Sequence, residues 1–199
     1  MAQPLPLSEP SSLPEPRLYT IADYLALGEF EGGYSELFEG RLIVVPGPSM
    51  EHNMAGIELI TALRRSLPTD LVCCYDVDID LELASPGSPG FSRRPDVVVV
   101  HRSARDRVRD ERGMVKASEV VLVIEIVSPS SVRTDNVVKR GEYADAGIPY
   151  YWIVDLTEPV SVLACHQAGA FGYADGGEVT GVLRVAEPFP AEIDLAGLG

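Results

Sequence analysis

A chain of 199 residues with 46% hydrophobic and 23% charged side chains can bury one substantial core and suits a single α/β domain behind a short tail. No apolar run approaches the roughly 20 residues of a membrane-spanning helix, and no apolar segment or basic residue precedes Arg17. A cytoplasmic protein without secretory leader or membrane partner is therefore expected. The net charge of −14 argues against a general affinity for nucleic acid, and three cysteines, two of them adjacent (Cys73, Cys74), make neither a disulfide framework nor a zinc ribbon.

Residues 1–17 are rich in Pro and Ser and are expected to form a mobile tail, leaving 18–199 as one domain. Thr20 is placed to cap a short helix through Leu27 that Gly28 ends. Tyr34 to Val45 reads as two short strands turning at Glu39-Gly40, stopped by Pro46-Gly47-Pro48. From Ser49 to Leu67 the residues Met54, Ile57, Ile60, Leu63 and Leu67 recur at helical spacing, which predicts one buried stripe.

Leu71 to Leu83 alternates apolar and acidic residues in places, as a half-exposed strand does. Gly87 to Gly90 is a loop. The runs Val97–Val100 and Val120–Val127 are continuous and mostly β-branched, which predicts central strands covered on both faces. Between Arg93 and Lys116 lies half of the chain's 16 Lys and Arg; this stretch reads either as a solvated loop or as a phosphate-facing patch.

Ser128-Pro129-Ser130-Ser131 ends the second run, and Thr134 or Asp135 can cap a helix to Ala146, closed by Gly147. Tyr150 to Leu156 is a further strand. Apolar stretches at Val160–Cys165, Phe171–Tyr173 and Val179–Val185 predict a meander completing or flanking the sheet. The order of elements gives an α/β fold with a mixed β-sheet flanked by helices and extra β-hairpins.

Glu125 carries the most chemical information, because every neighbour in Val121-Leu122-Val123-Ile124-Glu125-Ile126-Val127 is apolar. An ionised carboxylate in such a strand costs several kcal/mol unless a cation compensates it. The simpler alternative is a strand-end acid paired to an arginine. Asp96 opens the other valine-rich strand; alone it is an ordinary strand-start Asp. Two carboxylates at the mouths of neighbouring strands would repel, and a hard divalent ion such as Mg²⁺ or Mn²⁺ removes that repulsion.

Asp135, Lys139 and Tyr143 are spaced i, i+4, i+8 and share a helix face, either as a surface ladder or with the ammonium leaning over the strand ends. No Gly-x-Ser-x-Gly elbow surrounds Ser128, Ser130 or Ser131, and no phosphate-binding glycine loop is present. Tyr150, Tyr151 and Trp152 read as core or subunit-interface aromatics, and a homodimer is expected.

The pair Pro95-Asp96 and Glu125-Ile126-Val127 resembles the PD-(D/E)XK restriction-endonuclease-like superfamily. The wider set resembles its Uma-type family of predicted bacterial endonucleases: Tyr34 to Leu42, His52 entering a helix, Arg94 to Val97, Ile124 to Ser130, Asp135 with Lys139, and Tyr143 to Asp155. The resemblance spans about residues 20–190. It implies a restriction-endonuclease-like core and a Mg²⁺- or Mn²⁺-dependent endonuclease acting on DNA. Its metal would be held by Asp96, Glu125 and the backbone carbonyl of Ile126, with Glu36 as a further acidic partner. Val127 stands where the superfamily carries its lysine, and Lys139 on the following helix can replace it. His52 reads as a capping or packing residue that can flank the cleft. The alternatives are a catalytically inactive nuclease-fold module for binding or assembly, and a structural dimer joined through Tyr151 and Trp152.

Overall fold

The structure, a computed structural model, describes residues 17–28, 33–128 and 131–199. The expected tail, apart from Arg17, and Pro129 and Ser130 of the expected turn lie outside the described residues.

Helix α1 (Ile21–Leu27) starts as its sequence dictates. Thr20 Oγ1 accepts the Asp23 N–H and the Asp23 carboxylate accepts the Thr20 N–H, while Gly28 at φ +67° ends it. Strands β1 (Tyr34–Phe38) and β2 (Arg41–Val45) form a hairpin whose two turn residues, Glu39 and Gly40, both have positive φ, the two-residue turn that matches strand twist.

Helix α2 (Met50–Leu63) is capped by Ser49 and buries only part of the predicted stripe: Leu63 is buried and Ile60 and Leu67 pack against the core, but the N-terminal half turns another face inward. Met54 and Ile57 are each 59% exposed, whereas Ala55, Gly56, Leu59 and Leu63 are buried. The reason is steric: the helix lies close on the sheet, and small residues let it approach. Gly56 rests against Tyr75, where an added Cβ would come within 3.1 Å of the phenol oxygen and closer still to the ring edge. Alanine in a helix interior gains about 1 kcal/mol over glycine. Here that gain is outweighed, because the ring must swing away and lose its 2.7 Å hydrogen bond to Asn53 Oδ1. Gly56→Ala is expected to lower stability by about 1 kcal/mol in urea unfolding; a stabilised variant would contradict the close packing.

Strand β3 (Leu71–Tyr75) is followed by Asp76 at φ +55°, which ends the strand predicted to continue to Leu83. The chain leaves for a second sheet as β4 (Ile79–Asp80). Then come β5 (Ser92–Arg93), β6 (Val97–His101), helix α3 (Arg102–Glu111), β7 (Val115–Lys116) and β8 (Val120–Val127). A helical stretch begins at Val132, passes through a π segment, Thr134–Lys139, and runs on as α4 (Arg140–Asp145). The Asp135 N–H already donates to the Ser131 carbonyl, so the helix starts before the predicted caps Thr134 and Asp135. Strands β9 (Tyr150–Asp155), β10 (Ser161–Gln167), β11 (Tyr173–Thr180), β12 (Val182–Val185) and β13 (Ala191–Asp194) complete the chain.

The central sheet has the order β11-β10-β9-β8-β6-β3 and is antiparallel except between β8 and β9, which the α4 crossover connects in parallel. The meander β9-β10-β11 extends one side of it, as expected. Val97, Val99, Leu122, Ile124, Trp152 and Val154 pack toward α2 and the β12–β13 hairpin. Val98, Val100, Val123, Val127 and Tyr151 pack toward Ala104 of α3 and Tyr143 of α4. Both faces are covered, so these strands carry unbroken apolar runs. Tyr151 and Trp152 are fully inside this core, which removes them as an interface; a homodimer would have to use another surface.

The basic stretch is largely helix, not loop. Arg107 pairs with Glu119 at 2.6 Å and with Glu111, Arg105 and Arg109 pair with Asp106, and Arg102 donates to the carbonyls of Thr69 and Leu71. Among the described residues no helix is long and apolar enough to cross a membrane.

Candidate functional site

The antiparallel register that sets Val97 opposite Ile124 brings the start of β6 beside the end of β8, and with it Asp96 beside Glu125. Alternation does the rest: Ile124 and Ile126 face α2, while Val123, Glu125 and Val127 face α4. The Asp96 carboxylate is held at both oxygens. Oδ2 accepts the Ile126 N–H at 2.7 Å and Oδ1 lies 2.7 Å from His52 Nε2. It is thus the N–H of Ile126 that the structure joins to Asp96. His52 does more than enter its helix: burial would lower its pKa, but the Asp96 hydrogen bond and charge outweigh this and raise it.

Glu125 is 3% exposed, and its Oε1 accepts both the Lys139 ammonium at 2.9 Å and the Tyr143 hydroxyl at 2.7 Å. The spacing of Asp135, Lys139 and Tyr143 does place all three on the inward face, here within and just after the π segment, a helix distortion common at functional sites. Tyr151 donates to the backbone carbonyl of Asp135 and fixes this segment against β9. The Lys139 ammonium also lies 3.4 Å from Glu36 Oε1 and 3.5 Å from Asp135 Oδ1.

A second buried layer supports the first. Arg93 makes a bidentate pair with Glu142 (2.6 and 2.7 Å) and reaches Glu36 Oε2 at 2.6 Å. Glu36 thereby links Arg93 to Lys139.

This arrangement is short of positive charge. Glu36, Asp96, Glu125, Asp135 and Glu142 face Arg93 and Lys139 as permanent cations, with His52 at the rim. Burial pushes Glu125 up to about 8; Lys139 pulls the other way, and the like charges of Asp96 and Asp135 add to the rise. Burial would lower Lys139, but Glu125, Glu36 and Asp135 together hold its ammonium well above the usual lysine range. Burial likewise raises Asp135, whereas the Lys139 and Arg93 charges overcome burial at Glu36 and lower it. Among the described residues no three His, Cys, Asp or Glu side chains stand ready around a metal position; three carboxylates gather on the Lys139 ammonium instead.

Asp96, Glu125, Lys139 and Glu36, the residues singled out from sequence, are therefore brought into one cluster. Asp135, read as a cap and as sharing a helix face with Lys139, and His52, read as capping or packing, belong to it as well. Arg93 and Glu142 were missed. The available signals were the Arg93-Arg94 pair just before Pro95-Asp96, and Glu142 on the same helix stretch as Lys139 and Tyr143.

The fold has a solved counterpart. A crystal structure of a "putative nuclease belonging to DUF820" from Anabaena variabilis ATCC 29413 is similar with a TM-score of 0.64 at 20% identity, covering 90% of this chain and 96% of that one. The class is a mixed α/β nuclease-like fold. Residues 21–192 match the model of the Uma2 family, described as "Putative restriction endonuclease", and the chain belongs to that family. Curated proteins gave no match to the sequence.

Proposed function

We propose that this protein is a divalent-metal-dependent endonuclease that hydrolyses phosphodiester bonds of DNA. The family supports a nuclease, and one observation carries the site: Asp96 is hydrogen-bonded to the residue after Glu125, and Glu125 holds the Lys139 ammonium at 2.9 Å. The donor set fits Mg²⁺ or Mn²⁺, because it consists of carboxylate oxygens in excess of cations, and among the described residues one buried oxygen, Asp135 Oδ1, has no hydrogen bond, with the Lys139 ammonium 3.5 Å away. Asp96, Glu125 and the Ile126 carbonyl would hold the ion. Bound there, it would polarise a phosphoryl oxygen and lower the pKa of a water.

The chain's own residues divide the remaining work. His52 and the Ile126 N–H orient Asp96, and Tyr143 orients Glu125. Lys139 keeps its proton because three acids surround it, so it acts as a fixed donor that orients the attacking water or neutralises charge on a phosphoryl oxygen. Glu36, itself anchored by Arg93, positions that ammonium. Lys139 from the helix thus fills the role left vacant at Val127, which is packed in the core.

Cleavage of a supercoiled plasmid with Mg²⁺ or Mn²⁺ tests this reading. Wild type should cut, and Asp96→Ala and Glu125→Ala should not; undiminished cutting by either variant removes the mechanism. A second reading, an inactive binding or assembly module, is favoured by the internal pairing of the arginines on α3, which leaves less free charge for phosphates. Absence of cleavage together with absence of calorimetric metal binding would favour that module.

A further inference from the structure

We propose that a cavity beside the acid cluster, walled by Tyr34, Arg94 and Asp78, takes an unpaired nucleobase that carries an exocyclic amino group. The assignment rests on DNA being the substrate of the site above. The cavity has a volume of about 580 Å³, the size of a small-molecule site, and among the described residues its wall also includes Tyr24, Ser35 and Asp76.

Register puts this cavity next to the cluster. Tyr34 stands two residues before Glu36 on β1 and shares its face of the strand. Arg94 stands two residues before Asp96, and its N–H donates to Glu36 Oε1 at 3.3 Å. The Asp76 N–H donates to the Asp96 carbonyl at 3.0 Å. A nucleotide whose phosphate lies at Asp96 therefore has the cavity within reach of its own base or its neighbour's.

The lining selects a flat, uncharged ligand with N–H donors. The Arg94 guanidinium lies 4.7 Å over the Tyr34 ring and is held by Asp76 Oδ1 at 2.8 Å, yet its side chain is 26% exposed. Ring and guanidinium together offer a plane on which a base can stack. Asp78 is the acceptor in want of a donor. Arg94 approaches it only to 3.8 Å, and the Tyr24 hydroxyl, 3.4 Å away, commits its proton to the Ser35 carbonyl at 2.6 Å. Two carboxylates against one guanidinium disfavour a phosphate here. Among the described residues no three His, Cys, Asp or Glu side chains gather for a metal ion either. A carboxylate accepts from an amino group such as cytosine N4, whereas the O4 carbonyl of thymine has no proton to offer it. A base reaches such a cavity only outside the duplex stack, so a single strand is the fitting probe.

The test is fluorescence anisotropy of the full chain with labelled short oligo(dC) and oligo(dT), in EDTA and at low salt so that neither strand is cut. Wild type is expected to bind oligo(dC) about tenfold more tightly than oligo(dT), and Asp78→Ala to bring the ratio to within about twofold. Equal affinities in wild type, binding of neither strand, or a ratio unchanged in the variant would each overturn the assignment. The plasmid assay reports the nuclease reading separately. Cutting with equal affinities refutes the base site alone; a preference for oligo(dC) without cutting supports the base site and refutes the nuclease.

Discussion

Arg93→Met is expected to remove about 3–5 kcal/mol of folding stability, the cost of breaking a buried ion pair from one side. The guanidinium is 3% exposed and makes three hydrogen bonds of 2.6–2.7 Å to Glu142 and Glu36. Among the described residues, its loss leaves Glu142 with no cation and Glu36 with only the Lys139 ammonium at 3.4 Å and a backbone N–H. Methionine fills much of the stem volume, so the effect is electrostatic more than steric. A domain of this size has about 5–15 kcal/mol to lose, so the urea midpoint should fall steeply. Replacing Glu142 by leucine in the same chain should restore part of the loss, because an apolar pair of similar volume needs no desolvated charge. A shift below about 1 kcal/mol, the size seen for exposed pairs, would mean that the cluster is not dry.

The largest expected effect on activity is at Glu125. Glu125→Gln keeps the volume and can still accept from Tyr143 through its amide oxygen, but it removes the charge that pairs with Lys139 and would hold the metal. A metal's share of transition-state stabilisation is several kcal/mol, and about 4 kcal/mol corresponds to roughly a 10³-fold loss in kcat/KM. The plasmid assay should therefore show a loss of that order, with far-ultraviolet circular dichroism unchanged. A drop of only a few fold would place the chemistry elsewhere.

Much of this architecture is legible from local pattern. The capped helix before Gly28, the Glu39-Gly40 hairpin and the two buried valine-rich strands follow from side-chain chemistry over a few residues, and they survive in the structure. Glu125 stood out for the same reason: one acid in an oily strand. What escaped depends on contacts distant in sequence. Helix α3 is polar nearly all round and is anchored by Ala104, so periodicity gives no stripe to read. The seat of α2 is chosen by small residues, which a count of large apolar side chains overlooks. Asp76 interrupts an alternating segment through a positive φ that composition does not announce. Arg93 finds Glu36 and Glu142 across 57 and 49 residues, a pairing only the assembled sheets can make.

The most direct test of the central claim is the thermal unfolding of wild-type protein with EDTA and with increasing Mn²⁺. If the buried acids await a divalent ion that the unfolded chain cannot bind, the midpoint should climb steadily with the logarithm of Mn²⁺ concentration, reaching about 2.7 kcal/mol of added stability at a hundred times Kd. An identical midpoint in EDTA and in saturating Mn²⁺ would mean that Arg93 and Lys139 already satisfy the cluster, and the metal centre would fall.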